Sequence, residues 1–147
     1  MSSLSFLAIL QASVIAMGEK TYAEAHSETT RTGRPMVVLV SADWCPACVA
    51  MKKQVIPQVT KRGLLKKVVY AVVNLDRERV LGRQLTGGGP IPQLIMFRKT
   101  TGGWKRRKLI GGQGVGTVEN FIGEGIKLDE STKKSRVAKK NQLTVKK

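Results

Sequence analysis

The sequence predicts one α/β domain in which helices cover both faces of a central, mixed, four-stranded sheet. The chain has 147 residues, of which 41% are hydrophobic, and this length suits a single domain of ordinary size. Apolar runs of strand length alternate with helical patterns in the first half of the chain. The second half contains two strand patterns joined by a short turn. The strands separated by a helix should therefore be parallel, and the hairpin should add an antiparallel edge.

The first elements are a helix, a strand and a second helix. Residues 19–30 have a helical pattern that Gly33 and Pro35 end, since glycine suits the position after a helix and proline cannot continue one. Residues 36–42 form a continuous apolar run, which is typical of a strand covered on both faces. A helix follows from about residue 45 to residue 56, and Pro57 should end it.

The remaining elements are a strand, a short helix, a hairpin and a last helix. Asp76 is a suitable N-cap for the short helix. The hairpin turn lies at residues 100–103, and the glycine-rich residues 111–116 lead into the last helix. The predicted bounds are 68–75 for the strand, 76–85 for the short helix, 93–97 and 104–110 for the hairpin strands, and 117–127 for the last helix.

Both ends of the chain lie outside the predicted domain, which spans residues 19–127. Residues 1–18 contain a mostly apolar stretch, too short for a comfortable membrane span and of the length of a signal-peptide core. Small or compact residues at positions 14–16 suit a signal peptidase, so the segment favours an exported, periplasmic protein over a cytoplasmic one. The alternative is an amphipathic helix packed on the domain. Residues 128–147 have many lysines and no clear period, which predicts a basic disordered tail.

The chain is strongly basic, with a formal net charge of +16. Residues 127–147 alone hold eight basic and two acidic residues, a net of +6. This charge favours anionic partners, such as acidic proteins or an anionic membrane surface reached through the tail. The tail has no aromatic residue after Phe121, so it lacks the stacking groups of single-strand binders and disfavours nucleic acid.

Cys45 and Cys48 are the only cysteines, and two residues separate them. A CxxC pair near β and α patterns points to redox chemistry, because one sulfur can attack a disulfide and the other can resolve the product. The rival interpretation is zinc, which takes four protein ligands at a structural site. His26 is the only histidine and lies in the first helical stretch, so we expect no metal and no cofactor beyond the dithiol itself.

These features together resemble the thioredoxin-like superfamily over residues 19–126. The resemblance rests on residues 44–48 (Trp-Cys-Pro-Ala-Cys), residues 74–76 (Asn-Leu-Asp), Ile91-Pro92 before the third strand and Gly111 after the fourth. Residues 22–35 are most similar to the bacterial branch found in exported proteins. The resemblance implies the thioredoxin fold and thiol–disulfide exchange on protein substrates, with a separate redox partner, and we expect a monomer.

The sequence also assigns roles to the residues around the dithiol. Cys45 at a helix N-terminus should be the attacking thiolate, because free N–H groups and the helix dipole stabilise it. Cys48, one turn on, should resolve the mixed disulfide. Pro46 suits the first helical position, and the N–H groups of Ala47 and Cys48 remain free for the Cys45 thiolate. Trp44 should shield the site and offer an aromatic surface to substrates, unless it packs in the core.

The resemblance implies roles for two further residues, and the sequence differs from the family pattern at two positions. Pro92 should follow a cis bond and lie against the sulfurs, and the backbone of Ile91 should pair with an extended substrate segment. The family's buried carboxylate falls at Leu39 here, and its strand lysine falls at Val72. Proton transfer for Cys48 should then depend on water or another group. We interpret Asp43 as an exposed acidic residue of the loop.

Two alternatives to an enzyme stay open. The dithiol could switch the affinity of a non-catalytic binding module, or the basic tail could be the functional part of the chain. Residues 112–116 do not form a dinucleotide site, because Thr117 stands where the pattern needs its third glycine.

Overall fold

Four strands form one mixed sheet in the order β2–β1–β3–β4. The computed structural model describes residues 19–145, so the signal-peptide prediction for residues 1–18 lies outside the described part. β1 pairs in parallel with β2, and both other pairings are antiparallel. The strands are β1 (Met36–Ser41), β2 (Val69–Asn74), β3 (Gln93–Thr100) and β4 (Gly103–Ile110).

Helices cover both faces of this sheet, which confirms the predicted fold class. One buried cluster joins β1 and β2 side chains to α1 and α4, and the other joins the sheet to α3 and α5. Every residue of β1 is buried, as expected for a central strand with helices above and below it. The helices are α1 (Tyr22–Thr32), α2 (Pro46–Ala50), α3 (Ile56–Lys61), α4 (Arg79–Thr86) and α5 (Val115–Val145), with a 3₁₀ turn at Leu64–Lys67.

The helix after the cysteines does not end before Pro57, and this prediction is wrong. Residues 46–61 form one continuous helix, in which a π-helical segment, Met51–Val55, joins α2 to α3. A proline in a regular helix clashes with the carbonyl four residues earlier and lacks the N–H that would bond to it. The N–H of Ile56 instead donates to the carbonyl of Met51, five residues back. We infer that the wider π turn makes room for the Pro57 ring.

The C-terminal segment also differs from its prediction, because α5 continues to Val145. Residues 128–145 contain neither glycine nor proline, so no residue type stops the helix. Asp129 is buried and forms an ion pair of 2.6 Å with Lys133, whose ammonium also donates to the carbonyl of Gly33. These contacts attach the extended helix to the end of α1. Within residues 19–145, none of the helices is long and apolar enough to cross a membrane.

Two glycines of α5 provide a test of how closely this helix packs on β3. A Cβ at Gly125 would overlap the sulfur of the buried Met96, whereas a Cβ at Gly123 would meet open space. Alanine raises helix propensity by about 1 kcal/mol at either site, but overpacking costs about 1–3 kcal/mol. We expect the Gly125→Ala protein to be at least about 1 kcal/mol less stable than the Gly123→Ala protein in urea unfolding. Equal stabilities would contradict the packing described for Met96.

Candidate active site

The site lies where β1 and β2 end. The two strands are parallel and in register, with Ser41 opposite Asn74, so their C-terminal ends lie side by side at the same end of the sheet. The N–H of Leu75 donates to the carbonyl of Ser41 at 2.8 Å, which holds the two exits together. The chain then turns through residues 42–45 into α2, and this turn places the cysteines beside the end of the sheet.

Cys45 and Cys48 are joined by a disulfide, with their Cα atoms 5.2 Å apart. Cys45 is the N-cap of α2 and Pro46 is in its first turn. The backbone N–H of Cys48 donates to Sγ of Cys45 at 3.3 Å, so the sulfur occupies the position of a capping oxygen. Cys45 is 6% exposed and Cys48 only 1%. Cys45 is therefore the more exposed of the two cysteines.

The segment before β3 lies against the same sulfur. The Ile91–Pro92 peptide bond is cis, and the carbonyl oxygen of Ile91 is 3.9 Å from Sγ of Cys45. Pro92 is buried, and its carbonyl accepts the N–H of Gly111 at 2.8 Å. This bond ties the segment to the loop that follows β4. Ala42, which is buried, and Leu75 and Ile91, which are partly buried, pack against the dithiol.

Trp44 is 70% exposed, so it does not pack in the core. Its indole N–H donates to one oxygen of Asp76 at 3.0 Å, and the backbone N–H of Asp43 donates to the other at 2.8 Å. The Asp43 carboxylate accepts from the side-chain amide of Asn74 at 2.9 Å. These bonds fix the turn that carries Trp44 to the residues that follow β2.

Asp76 does not cap α4, and that prediction is wrong. The helix begins at Arg79 with Glu78 as its N-cap, and Glu78 makes no side-chain capping bond. Asp76 instead contacts the turn before Cys45. A Trp-Cys motif on one strand exit and an Asn-Leu-Asp motif on the next could have indicated this contact, because parallel strand ends meet at one edge.

The glycine-rich loop after β4 forms the other wall of the site. A Cβ on Gly112 would stand 3.3 Å from the Cβ of Ala47, so the two backbones approach closely. The N–H of Gln113 lies 3.4 Å from the sulfur of Met51, which anchors the loop against the helix. Ala47 and Pro46 are exposed beside this loop. Gly112 has a place in the site that the sequence did not predict.

The interior beneath the dithiol is apolar. Leu39 is fully buried and packs with Met51 and Leu94, and Val72 packs against the same cluster. No carboxylate or ammonium group therefore occupies either of these two positions. His26 stacks on the ring of Tyr22 and makes a tilted contact with the ring of Trp104. Among residues 19–145, no group of three or more histidine, cysteine or acidic side chains could hold a metal ion.

Comparison with known proteins agrees with this geometry. A family model described as thioredoxin-like matches residues 17–99, which is more than half of the chain. A search of curated proteins found no match.

Several solved structures share the fold. A thioredoxin from Thermus thermophilus superposes with a TM-score of 0.60 at 24% identity, covering 71% of this chain and 82% of that one. Trxlp from Edwardsiella tarda gives 0.56 at 24% identity, covering 71% and 95%. A protein named DsbH oxidoreductase gives 0.57 at 19% identity, covering 75% and 84%. At these identities the likeness shows the fold.

The bonds to Asp76 predict how Trp44 moves. In a protein whose other tryptophan is replaced by Trp104→Phe, Asp76→Ala removes the acceptor of the Trp44 indole and of the Asp43 N–H. We expect faster decay of Trp44 fluorescence anisotropy and stronger quenching by acrylamide, because the turn loses both anchors. Glu78→Ala, which removes a nearby carboxylate without a capping bond, should leave both signals unchanged. Equal anisotropy decays in the two variants would show that Asp76 does not hold Trp44.

Proposed function

This chain belongs to the thioredoxin-like family, and we propose that it catalyses thiol–disulfide exchange on protein substrates through Cys45 and Cys48. The observation that carries the proposal is the position of the Cys45 sulfur. It caps the N-terminus of α2, accepts the N–H of Cys48, and lies 3.9 Å from the carbonyl of Ile91. A sulfur in this position can become a stabilised thiolate and still be reached by a second protein.

Cys45 is the nucleophile in this proposal. When the disulfide is reduced, the Cys48 N–H and the positive end of the helix stabilise a thiolate at Sγ of Cys45. Cys48 has no comparable place at the helix terminus and is almost completely buried. Cys45 is therefore the sulfur that attacks, and Cys48 is the sulfur that resolves.

The exchange takes two steps. The Cys45 thiolate attacks one sulfur of a substrate disulfide, forms a mixed disulfide and releases the other substrate sulfur as a thiolate. Cys48, as a thiolate, then attacks Sγ of Cys45, forms the Cys45–Cys48 disulfide and releases the second substrate thiolate. Two electrons pass to the substrate, whose thiolates take up two protons, and this protein is left oxidised. The reverse sequence oxidises a substrate dithiol.

Cys48 must lose its proton before the second step. With Leu39 and Val72 at the two interior positions beneath the dithiol, we infer that water accepts this proton directly. The direction of net exchange depends on the potential of the partner, and potentials of such dithiols range from about −270 to about −120 mV.

Substrate binding is proposed at the surface formed by Trp44, Pro46, Ala47 and Ile91. Trp44, Pro46 and Ala47 are exposed, and Ile91 offers backbone groups next to the reactive sulfur. An extended substrate segment could pair with that backbone as an added strand, which reads shape more than sequence. The exposed indole of Trp44 would then contact its side chains.

A second candidate function is binding to an anionic membrane surface. The C-terminal part of α5 exposes Lys134, Arg136 and Lys139, and a groove of about 510 Å³ separates it from Thr101 at the turn between β3 and β4. Strand β4 adds exposed cations beside that turn. Each basic residue near an anionic surface contributes about 1 kcal/mol to binding. A helix that carries several of them could hold the domain at such a surface.

The exchange mechanism predicts different products for the two cysteine variants. Reduced Cys48→Ser protein, mixed with insulin as a disulfide-containing substrate, should accumulate a mixed disulfide on Cys45 because the resolving sulfur is absent. Mass spectrometry of non-reduced samples should locate the adduct. Cys45→Ser should form little adduct and should not accelerate insulin reduction above the rate with dithiothreitol alone.

The doubly substituted Cys45→Ser, Cys48→Ser protein is the matched control and should give no adduct. A binding module that the dithiol switches would instead retain its partner without a covalent bond. A Cys48→Ser protein that forms no covalent adduct would therefore remove the enzyme proposal in favour of that alternative.

The membrane candidate predicts salt-sensitive binding to vesicles. In a sedimentation assay, the triple variant Lys134→Glu, Arg136→Glu, Lys139→Glu should bind phosphatidylglycerol vesicles more than about tenfold more weakly than the unaltered protein. Added salt should weaken vesicle binding by the unaltered protein. The control Lys53→Glu, Lys67→Glu, Arg83→Glu has the same net charge change at exposed sites elsewhere. Equal loss in both variants would show an effect of net charge alone and not of α5.

A further inference from the structure

A pocket of about 610 Å³ opens at the end of the β1–β2 pair opposite the dithiol. It lies beside the first residues of β2, whereas Cys45 follows the last residues of β1. Its volume is within the range of sites that bind small molecules, roughly 300–1,000 Å³. Residues from the start of β2, from α3, from the 3₁₀ turn and from the chain before α1 line it. The proposed function makes no use of this pocket.

The interior of the pocket is apolar. Six lining residues from α3, the 3₁₀ turn and the start of β2 give it this character, and four of them, Ile56, Leu65, Val68 and Tyr70, belong to or pack against the buried cluster beneath α3. The six are Ile56, Pro57, Leu65, Val68, Val69 and the ring of Tyr70. An apolar ligand surface of moderate size would therefore be removed from water here.

The Tyr70 hydroxyl is the one polar group on this apolar wall that lacks a partner. The oxygen is buried and makes no hydrogen bond with any of the described residues. Buried hydroxyl groups are nearly always hydrogen-bonded, so an orphan that lines a pocket points to an absent acceptor. Burial raises the pKa of Tyr70 far above its usual value, with a smaller contribution from the charge of Glu19. The hydroxyl therefore remains a hydrogen-bond donor at physiological pH.

The mouth of the pocket is positively charged. Five cations line it against two carboxylates, and three of those cations already form ion pairs: Lys20 and Arg34 with Glu28, and Lys52 with Glu19. Lys61 and Lys66 form no ion pair with the described residues and are exposed. Two uncompensated ammonium groups at an apolar cavity favour an anionic group on the ligand.

From these features we propose that the pocket binds an amphipathic organic carboxylate. The aliphatic part of this ligand packs on Ile56, Leu65 and Val68. The ammonium groups of Lys61 and Lys66 attract its negative charge, and one of its oxygen atoms accepts the Tyr70 O–H. The proposal is independent of the exchange reaction, because the pocket is at the other end of the strand pair.

Octanoate is a suitable probe, with octan-1-ol as its uncharged partner of equal chain length. Titration calorimetry with the full chain should show saturable binding of octanoate, weaker binding of octan-1-ol, and a loss of octanoate affinity as salt is added. Tyr70→Phe keeps the ring and removes the hydroxyl, so octanoate affinity should fall between about two- and tenfold. The same variant should unfold at no lower urea concentration than the unaltered protein, because the lost hydroxyl had no partner.

Substitutions at two pairs of lysines distinguish an effect of charge at the pocket from an effect of the protein's net charge. Lys61→Gln with Lys66→Gln should weaken octanoate binding, whereas Lys53→Gln with Lys67→Gln removes the same charge from exposed positions outside the pocket and should not. No saturable binding of octanoate to the full chain would overturn the proposal. Octanoate binding that is unchanged in Tyr70→Phe and in the Lys61, Lys66 pair would place the ligand elsewhere and would also overturn it.

Discussion

The two-sided pairing of β1 is the constraint on which the rest of the structure depends. β1 hydrogen-bonds in parallel to β2 and antiparallel to β3, and helices cover both of its faces. Its exit must then lie beside the exit of β2 and the entry of β3. Those three chain segments carry the cysteines, Asp76 and the Ile91–Pro92 bond respectively. The site is therefore a direct consequence of strand order, because these residues are distant in sequence and only the sheet brings them together.

The chemistry of the site comes largely from the backbone. The Cys45 sulfur receives a backbone N–H and faces a backbone carbonyl, and the apolar side chains of Ala42, Leu75 and Ile91 pack against the dithiol. The polar side chains of Asp76 and Asn74 do not bond to the sulfurs but hold the turn that presents Trp44. Such an arrangement stabilises a thiolate by position at a helix terminus rather than by a charged partner. It also leaves the interior at Leu39 free of buried charge, which avoids the desolvation cost that an ionised group would bring there.

Patterns that depend on one segment predicted the structure well, and patterns that depend on contact between segments did not. The four strands, the helices between them and the dithiol at a helix N-terminus follow from apolar runs and from local capping rules. Pro57 is the exception within a single segment, because the sequence predicts a helix end there and a π turn precedes a helix that continues past it. Residues 128–145 have no helical period, yet the ion pair of Asp129 and the bond from Lys133 to Gly33 attach that helix to α1. Asp76 was assigned to the nearest helix because its true partners lie more than thirty residues away.

The sequence alone determined the fold class, the family resemblance and the identity of the reactive pair, since each of these rests on residue types at short, fixed spacing. Tertiary structure alone decided how deeply each cysteine is buried, because burial depends on segments that meet only in the folded chain. It also decided the place of Gly112 beside Ala47 and the pocket that contains the Tyr70 hydroxyl. The sequence pattern of β2 predicts only that Tyr70 is one more apolar strand residue. The environment of its unpartnered oxygen is formed by residues of α3 and of the chain before α1, which the strand pattern does not reveal.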